Sequence, residues 1–374
     1  MVKKIVVIPD SFKGCLSSYE VANIIKTTLN HLFPTSEILG IQVSDGGEGL
    51  VESYLAVLGG KKIALTTKGP YLEPIESYYG LLDGHVAVIE MAASAGLPLV
   101  KNQKNPSLTS TYGVGALIID AINHGAKKII LGLGGSSTND MGMGMASCLG
   151  VKFYNQNHEL FLPVGKTLGD IADIKTDEIN PQLANVEFIT LCDVKNPLYG
   201  PTGAAYVFAR QKGADDEMIK LLDENMRKLA FLLKEKFRFE ANFEQAGAAG
   251  GMTVSTKLFL NSQIKSGITS FLEMINFAKL IKDADYIITG EGKLDWQSLN
   301  GKVIDGISRY ADQYQIPLYA IVGQIDNLSL SYYPRGLTKV IELVKYSSSI
   351  EDAINNAPYY LRKATMEMAK SWTK

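Results

Sequence analysis

Residues 4–8, KIVVI, are a continuous apolar run rich in β-branched side chains, and residues 17–32 switch to helical spacing. A strand apolar on both faces must be covered on both faces, which is the situation inside a parallel sheet clad by helices. The helix carries its own start signal, Ser17 with Glu20 three residues later, the pattern of a capping box. A strand near 37–43, a helix near 47–58 and a strand near 61–66 continue the alternation. This β-α-β-α-β order predicts parallel strands joined by right-handed crossovers.

The C-terminal part repeats the style, with strands DYIIT (285–289), PLYAIVG (317–323) and KVIELV (339–344) and helices over 301–314 and 350–371. Each end alone makes half of a doubly wound sheet. The expected fold is therefore α/β with two α/β domains. Both chain ends, 1–75 and 280–374, form a discontinuous Rossmann-like domain, and 76–279 is a second α/β domain inserted between them. Within the insert, SYYGLLD (77–83) and VAVIEM (86–91) flank Gly84–His85 as a hairpin. A helix near 112–124, a strand at 127–131 and long helical stretches near 214–238 and 265–283 follow.

Composition supports a globular chain and removes some functions. The 374 residues are 46% hydrophobic and 20% charged, enough for two cored domains. A net charge of −2 argues against a nucleic-acid or membrane-surface partner held by bulk charge. Cys15, Cys148 and Cys192 form no C-x-x-C pair and read as reduced thiols. The apolar run before Pro9 and Asp10 is strand-sized, not a signal peptide, and no run is long enough for a bilayer. The expectation is a cytoplasmic protein, monomer or homodimer.

The densest glycine cluster, GLGGSSTNDMGMG (132–144), lies between the strand KKIIL and a helix-like MASCLG. It misses the dinucleotide fingerprint because Ser137 stands where glycine is needed, and the nucleophile elbow because of Thr138. VGKT (164–167) has the tail of a phosphate-binding P-loop, but Leu160 occupies its first glycine position. His31, His85, His124 and His158 are too scattered for a zinc site. What remains is a strand, a bare loop and a helix, an arrangement that presents backbone N–H groups to anions. A lone glycine cluster also serves tight packing. Here PDSFKG (9–14), SDGGEG (44–49), LCDVKNPLYGPTG (191–203) and TGEGKLDWQSLNGK (289–302) likewise follow apolar strands. The carboxyl ends of strands are where open α/β sheets bind ligands.

Taken together, PDSFKG, DGGEG, IEMAASAGL (89–97), TSTYGVG (109–115), GLGGSSTNDMGMG, CDVKNPLYGPTGAA (192–205), FARQKGA (208–214), GAAGGM (247–252) and TGEGKLDWQS (289–298) resemble the type I glycerate kinases, across effectively the whole chain. Cys15, Ser44, Ser137 and Met141 depart from the usual serine, alanine, alanine and glycine of that pattern, and none removes a charge. The resemblance implies a kinase that uses ATP and Mg2+ on D-glycerate, favouring the 2-hydroxyl over the 3-hydroxyl, with the active site in a cleft between two α/β domains. A kinase of a related hydroxy acid, or a non-catalytic nucleotide-binding regulator, are the alternatives. Intact acidic loops argue against the regulator.

Phosphoryl transfer needs positive charge on the phosphates, a metal held by carboxylates, and a group to orient the hydroxyl. Asp10, Asp45, Asp140, Asp193, Asp295, Glu48 and Glu291 are the carboxylates available. Asp193 is the leading catalytic candidate, as base or metal ligand, with Asp45 and Lys13 beside it in the catalytic set. Asp10, Ser11, Glu90, Ser110 and Lys212 are expected to bind the substrate. Gly134, Gly135, Ser136, Thr138, Asn139, Gly290, Glu291 and Gly292 are expected to bind the nucleotide, and Asp193 with Asp295 the metal. Each has an ordinary structural alternative. An aspartate after a strand caps a helix or turn, a lysine is a solvated surface charge, and Glu90 is equally a buried anchor. Ser110 and Thr111 are expected to cap the helix near 112.

Overall fold

A computed structural model of the protein describes residues 2–44, 46–47, 49–295, 302–326 and 333–372. Its strands are β1 (Lys4–Val7), β2 (Glu37–Gly40), β3 (Lys61–Lys68), β4 (Pro74–Leu82), β5 (Val86–Glu90), β6 (Lys128–Gly132) and β7 (Lys152–Tyr154). They continue with β8 (Leu160–Phe161), β9 (Asp173–Lys175), β10 (Glu187–Leu191), β11 (Gln263–Lys265), β12 (Tyr286–Leu294), β13 (Leu318–Ile325) and β14 (Leu337–Glu342). The chain divides into two compact units, Met1–Asp45 with Ser266–Lys374, and Gly46–Lys265.

The first unit is built on a sheet of order β14-β13-β12-β1-β2, parallel throughout. The two chain ends meet where Ile5, Val6 and Val7 of β1 register with Tyr286, Ile287 and Ile288 of β12. Ile5, Val6 and Val7 are fully buried, as the unbroken apolar run requires. Alternation along β13 shows the two covered faces. Ile321 packs with Val21, Ile25, Leu29 and Leu361 from the helices Ser18–Leu32 and Ala357–Ala369. Its neighbours Ala320 and Val322 pack with Ile304 of the helix Val303–Tyr314. Each such aliphatic side chain contributes about 1.5–3 kcal/mol by leaving water. The expected capping box forms, with Ser17 Oγ accepting from Glu20 N at 3.2 Å and Glu20 Oε2 accepting from Ser17 N at 2.8 Å.

Strand order reverses inside this sheet. From β1 the chain steps outward to β2 on one side, whereas β12, β13 and β14 step outward on the other. The switch point therefore lies between β1 and β12, and their carboxyl ends frame a crevice.

The second unit has a sheet of order β11-β10-β6-β5-β4-β3, in which β11, β10, β6 and β5 are parallel and β4 and β3 antiparallel. Glu90, Gly132, Leu191 and Lys265 stand in register at the carboxyl edge of its parallel strands. A small antiparallel sheet, β8-β7-β9, sits apart from it. The Gly84–His85 hairpin forms as expected, both residues at positive φ (86° and 65°) and Leu82 paired with Val86.

Several expectations need correction. The strand near 61–66 was assigned to the parallel sheet of the chain ends, but β3 pairs antiparallel with β4 along Lys61–Lys68. The helix Leu50–Leu58 also belongs with this sheet: Val51 and Leu55 crowd the space beside Gly80 of β4. The unit boundary accordingly falls at 45/46 and not near 75. The return falls at 265/266 and not near 280, because Ile268 of the helix Gly267–Met274 packs against Gly306. The stretches 265–283 and 350–371 are also each broken into two helices, at Asn276 (φ 52°) and at Asn356. Among the described residues no helix is long and apolar enough to cross a membrane.

Candidate active site

In the first unit, the turn after β1 meets the second half of β12 at the switch point, and that half continues as strand to Leu294 where a glycine-rich loop is expected from 289. β1 extends along β12 beyond the ladder, with Ile8 N donating to Ile288 O and Asp10 N to Gly290 O, both at 2.8 Å. Phe12 and Leu16 then exchange backbone hydrogen bonds of 2.8 and 3.0 Å, which leaves Lys13, Gly14 and Cys15 at the tip of a tight turn. Gly14 has φ +74°, a conformation that glycine adopts without strain. Buried Phe12 anchors the turn, and Lys13 is exposed. Asp10 Oδ1 accepts from Ser11 N at 2.7 Å. Gly292 lies so close that a Cβ there would be 3.2 Å from Phe12 Cα and 3.3 Å from Lys13 N. Gly290 serves the sheet, since its Cβ would be 2.3 Å from Ile321 O.

A cavity of about 410 Å³ opens at this point. Asp10, Ser11, Lys13, Glu291 and Asp295 line it together with residues between 343 and 357. Most of the expected site residues of this unit thus converge on one space.

The loop after β6 in the second unit is arranged differently. Ser136 is 7% exposed, Ser137 1%, and Thr138, Asn139 and Asp140 are fully buried. Gly134 N donates to Gly46 O at 3.1 Å, Ser137 N to Ala95 O at 2.9 Å and Met141 N to Gly250 O at 3.0 Å. A Cβ on Gly134 would fall 2.4 Å from Gly47 Cα, and one on Gly250 2.2 Å from Thr138 O. These glycines let backbone approach backbone. Exposed Gly135, at φ +73°, is the loop's open point, and Thr138 Oγ1 and Asn139 Oδ1 are buried without a hydrogen-bond partner among the described residues.

Lys212, expected to contact substrate, is 2% exposed and donates to Ser136 Oγ at 2.9 Å and Thr138 O at 2.7 Å. Burial pushes its pKa down to about 7, against the opposing pull of Asp140. Asp140 accepts from Thr111 N and Thr111 Oγ1 at 2.8 Å, Gly142 N at 3.1 Å and Gly144 N at 3.2 Å. Burial raises its pKa and these four bonds oppose the rise. Asp140 is thus a clamp inside the fold. Thr111 spends its hydroxyl on Asp140, so only Ser110 meets the helix start, accepting from Tyr112 N at 3.2 Å.

Glu90 is 4% exposed and accepts from Val51 N at 2.8 Å, which anchors the start of the helix Leu50–Leu58, whose N-cap Gly49 has no side chain to do so. Asp193 lies two residues beyond β10, half-buried at the same strand edge as Glu90 and Gly132. Its loop is braced by Gly247 N donating to Asn196 O at 3.0 Å. Asp193 belongs to the second unit and Asp295 to the first. Asp45 and Glu48 lie outside the described residues. Among the described residues no three His, Cys, Asp or Glu side chains cluster as a metal-binding group. The cavity wall at 343–357 was missed by sequence reasoning. Its one local signal is Ile350 and Ile354, a turn apart at the start of a helical stretch.

Comparison with known proteins puts this geometry in a family. The sequence profile described as the glycerate kinase family matches residues 5–373. A Bacillus subtilis (strain 168) protein named glycerate kinase is 38% identical over 374 residues, covering 98% of this chain and 97% of its own length. An Escherichia coli (strain K12) protein named glycerate 2-kinase is 36% identical over 369 residues, covering 98% and 97%. The crystal structure of a Salmonella typhimurium LT2 protein, assigned provisionally as glycerate kinase 2, matches with a TM-score of 0.87 at 33% identity, covering 100% of this chain and 99% of that one. Similarity of sequence and of fold, both end to end, make this chain a member of the glycerate kinase family.

Proposed function

We propose that the chain transfers the γ-phosphoryl group of ATP to the 2-hydroxyl of D-glycerate, giving 2-phosphoglycerate, with the help of Mg2+. Membership of the glycerate kinase family makes the chain a kinase, and a kinase of this family takes its phosphoryl group from ATP. The 2-position is favoured by the relative named glycerate 2-kinase. The observation that carries the reading is the convergence of Asp10, Lys13, Glu291 and Asp295 on one cavity at a strand-order switch point.

Each group has a role suited to its chemistry. Lys13, exposed on its turn, supplies positive charge to a phosphate. Asp193, half-buried beyond β10, orients the acceptor hydroxyl and takes its proton. Magnesium asks for hard oxygen donors, commonly one or two carboxylates with phosphate oxygens completing the shell. Asp10, Glu291 and Asp295 meet that demand, and a cluster of three protein ligands is not required. When bound, the ion would neutralise charge on the β- and γ-phosphate oxygens.

The test is direct. The protein is incubated with ATP, Mg2+ and D-glycerate, and the product identified by phosphorus NMR. A 2-phosphoglycerate signal that disappears with EDTA is expected. 3-Phosphoglycerate would overturn the regiochemistry, turnover indifferent to EDTA would remove the metal, and phosphorylation of another hydroxy acid alone would reassign the acceptor.

A further inference from the structure

We propose that the cavity of the first unit holds the donor nucleotide, with its base against the apolar wall formed by Leu343, Val344, Ile350, Ala353, Ile354 and Ala357. The proposal rests on the kinase reading and adds which of the two substrates this cavity takes. The substrates differ in kind. Glycerate is three carbons carrying a carboxylate and two hydroxyls, and it has no apolar face. A nucleotide has a flat ring system at one end and a polyanion at the other.

The cavity has the same mixed character. Its lining joins charged groups, Asp10, Lys13, Glu291, Asp295 and Lys302 among them, to the aliphatic residues of the 343–357 stretch. At about 410 Å³ it lies in the range of small-molecule and cofactor pockets, roughly 300–1,000 Å³, and is larger than a three-carbon acid needs. It also stands at the switch point between β1 and β12, the usual ligand position of an open parallel sheet.

The wall is shaped for a flat group. Ile350 and Ile354 are one turn apart on the helix Ile350–Asn355, so they share a face, and they remain 58% and 50% exposed. Buried Ala353 and Ala357 back them. Leu343, 1% exposed, backs the wall from the core. The wall is tied to the charged groups, since Cys15 Sγ donates to Ile354 O at 3.3 Å and so joins the tip of the β1 turn to the helix. Two large aliphatic side chains left in water beside a polar cradle are the feature that a base would cover.

The test uses the full-length protein with Ile354→Asp and Ile354→Lys, of opposite charge at one half-exposed position, and Ile350→Lys as a second probe of the face. Calorimetric titration with ATP and Mg2+ is expected to show affinity lowered roughly tenfold or more in all three, the scale of a buried contact residue. The apo melting temperature and the KM for D-glycerate at saturating ATP are expected to hold. Unchanged ATP affinity in the variants would overturn the proposal. So would a loss confined to Ile354→Asp, which would mean charge repulsion of the phosphates, or a raised KM for glycerate with ATP affinity intact, which would put the acid in the cavity. A wild-type protein that binds no ATP also overturns it. ATP binding that depends on Ile354 without phosphorylation of D-glycerate would sink the glycerate reading and leave the nucleotide site standing.

Discussion

Two glycine-rich stretches lie at the carboxyl side of parallel strands in this chain, one the second half of β12 and the other the loop after β6, and they end in opposite situations. TGEGKLD (289–295) runs along an open cavity with Lys13 and Asp10 beside it. GLGGSSTND (132–140) turns inward, with its two serine hydroxyls, its carboxylate and several amides bonded to other parts of the second unit. The difference lies in what approaches each stretch. Gly47 and Thr138 O come within a side chain's width of Gly134 and Gly250, so there the missing Cβ makes room for backbone. At Gly292 the neighbour is the turn that carries Lys13. Glycine after a strand therefore signals close approach, and the neighbour decides whether that approach serves a ligand or the fold.

The contrast can be tested, beginning with its largest expected consequence. Asp140→Ala strips the acceptor from the Thr111, Gly142 and Gly144 amides. An unsatisfied buried donor costs about 1–3 kcal/mol, so a loss of about 3 kcal/mol or more should appear in chemical denaturation. A near-neutral result would mean that the inner loop is not held by its clamp.

Asp193→Asn comes next, and it examines a half-buried carboxylate at the carboxyl edge of the second unit's parallel strands. If Asp193 takes the hydroxyl proton, kcat should fall roughly 10²-fold with little change in stability. Near-normal kcat would move the chemistry to Asp295 or Asp45.

A third prediction concerns pH. Lys212 titrates near 7 in the folded chain, below the roughly 10.4 of an unfolded one. Between those values the unfolded state binds the extra proton, so stability should rise as pH rises from 7 and flatten below it. Melting temperatures at pH 7 and 9 should show an increase that Lys212→Met abolishes. Parallel curves for the two proteins would assign the slope to other groups.

The smallest effect is expected at Gly135. At φ +73°, with Ala92 Cβ 3.3 Å from where its Cβ would sit, Gly135→Val should cost about 1 kcal/mol or more through backbone strain. If the loop serves the fold, the apo melting temperature drops and the rise produced by ATP and Mg2+ persists. A normal apo melting temperature with that rise lost would restore the loop as a phosphate cradle and break the comparison.

The same local logic sets how much was legible beforehand. The buried run KIVVI, the Ser17–Glu20 cap and the Gly84–His85 hairpin are short-range patterns, and all three formed. The membership of β3 was not legible from strand propensity alone. Its burial alternates, as on an antiparallel edge strand, whereas β1 is buried without interruption. Alternation in KKIALTTK was the signal to separate it from the parallel set. Lys212 could not be read at all. FARQKGA looks like solvent-facing sequence, and only a fold that brings residues 212 and 136 together makes its lysine internal. The wall at 343–357 escaped for a related reason, since ordinary aliphatic residues become a surface only beside the turn at Lys13.

The pairing of β1 with β12 has a consequence for how the chain is born. Synthesis proceeds at about 5–20 residues per second, so β1 waits on the order of 15–60 s for the strand it pairs with across some 280 positions. Over that interval the edge of β1 that pairs with β12 in the folded chain has no partner strand, an invitation to mispairing. The second unit, continuous from Gly46 to Lys265, has no such wait and can close while the ribosome is still working. Slow elongation should therefore penalise the first unit and spare the second. A chaperone that shields one edge strand near the N-terminus would relieve most of that penalty.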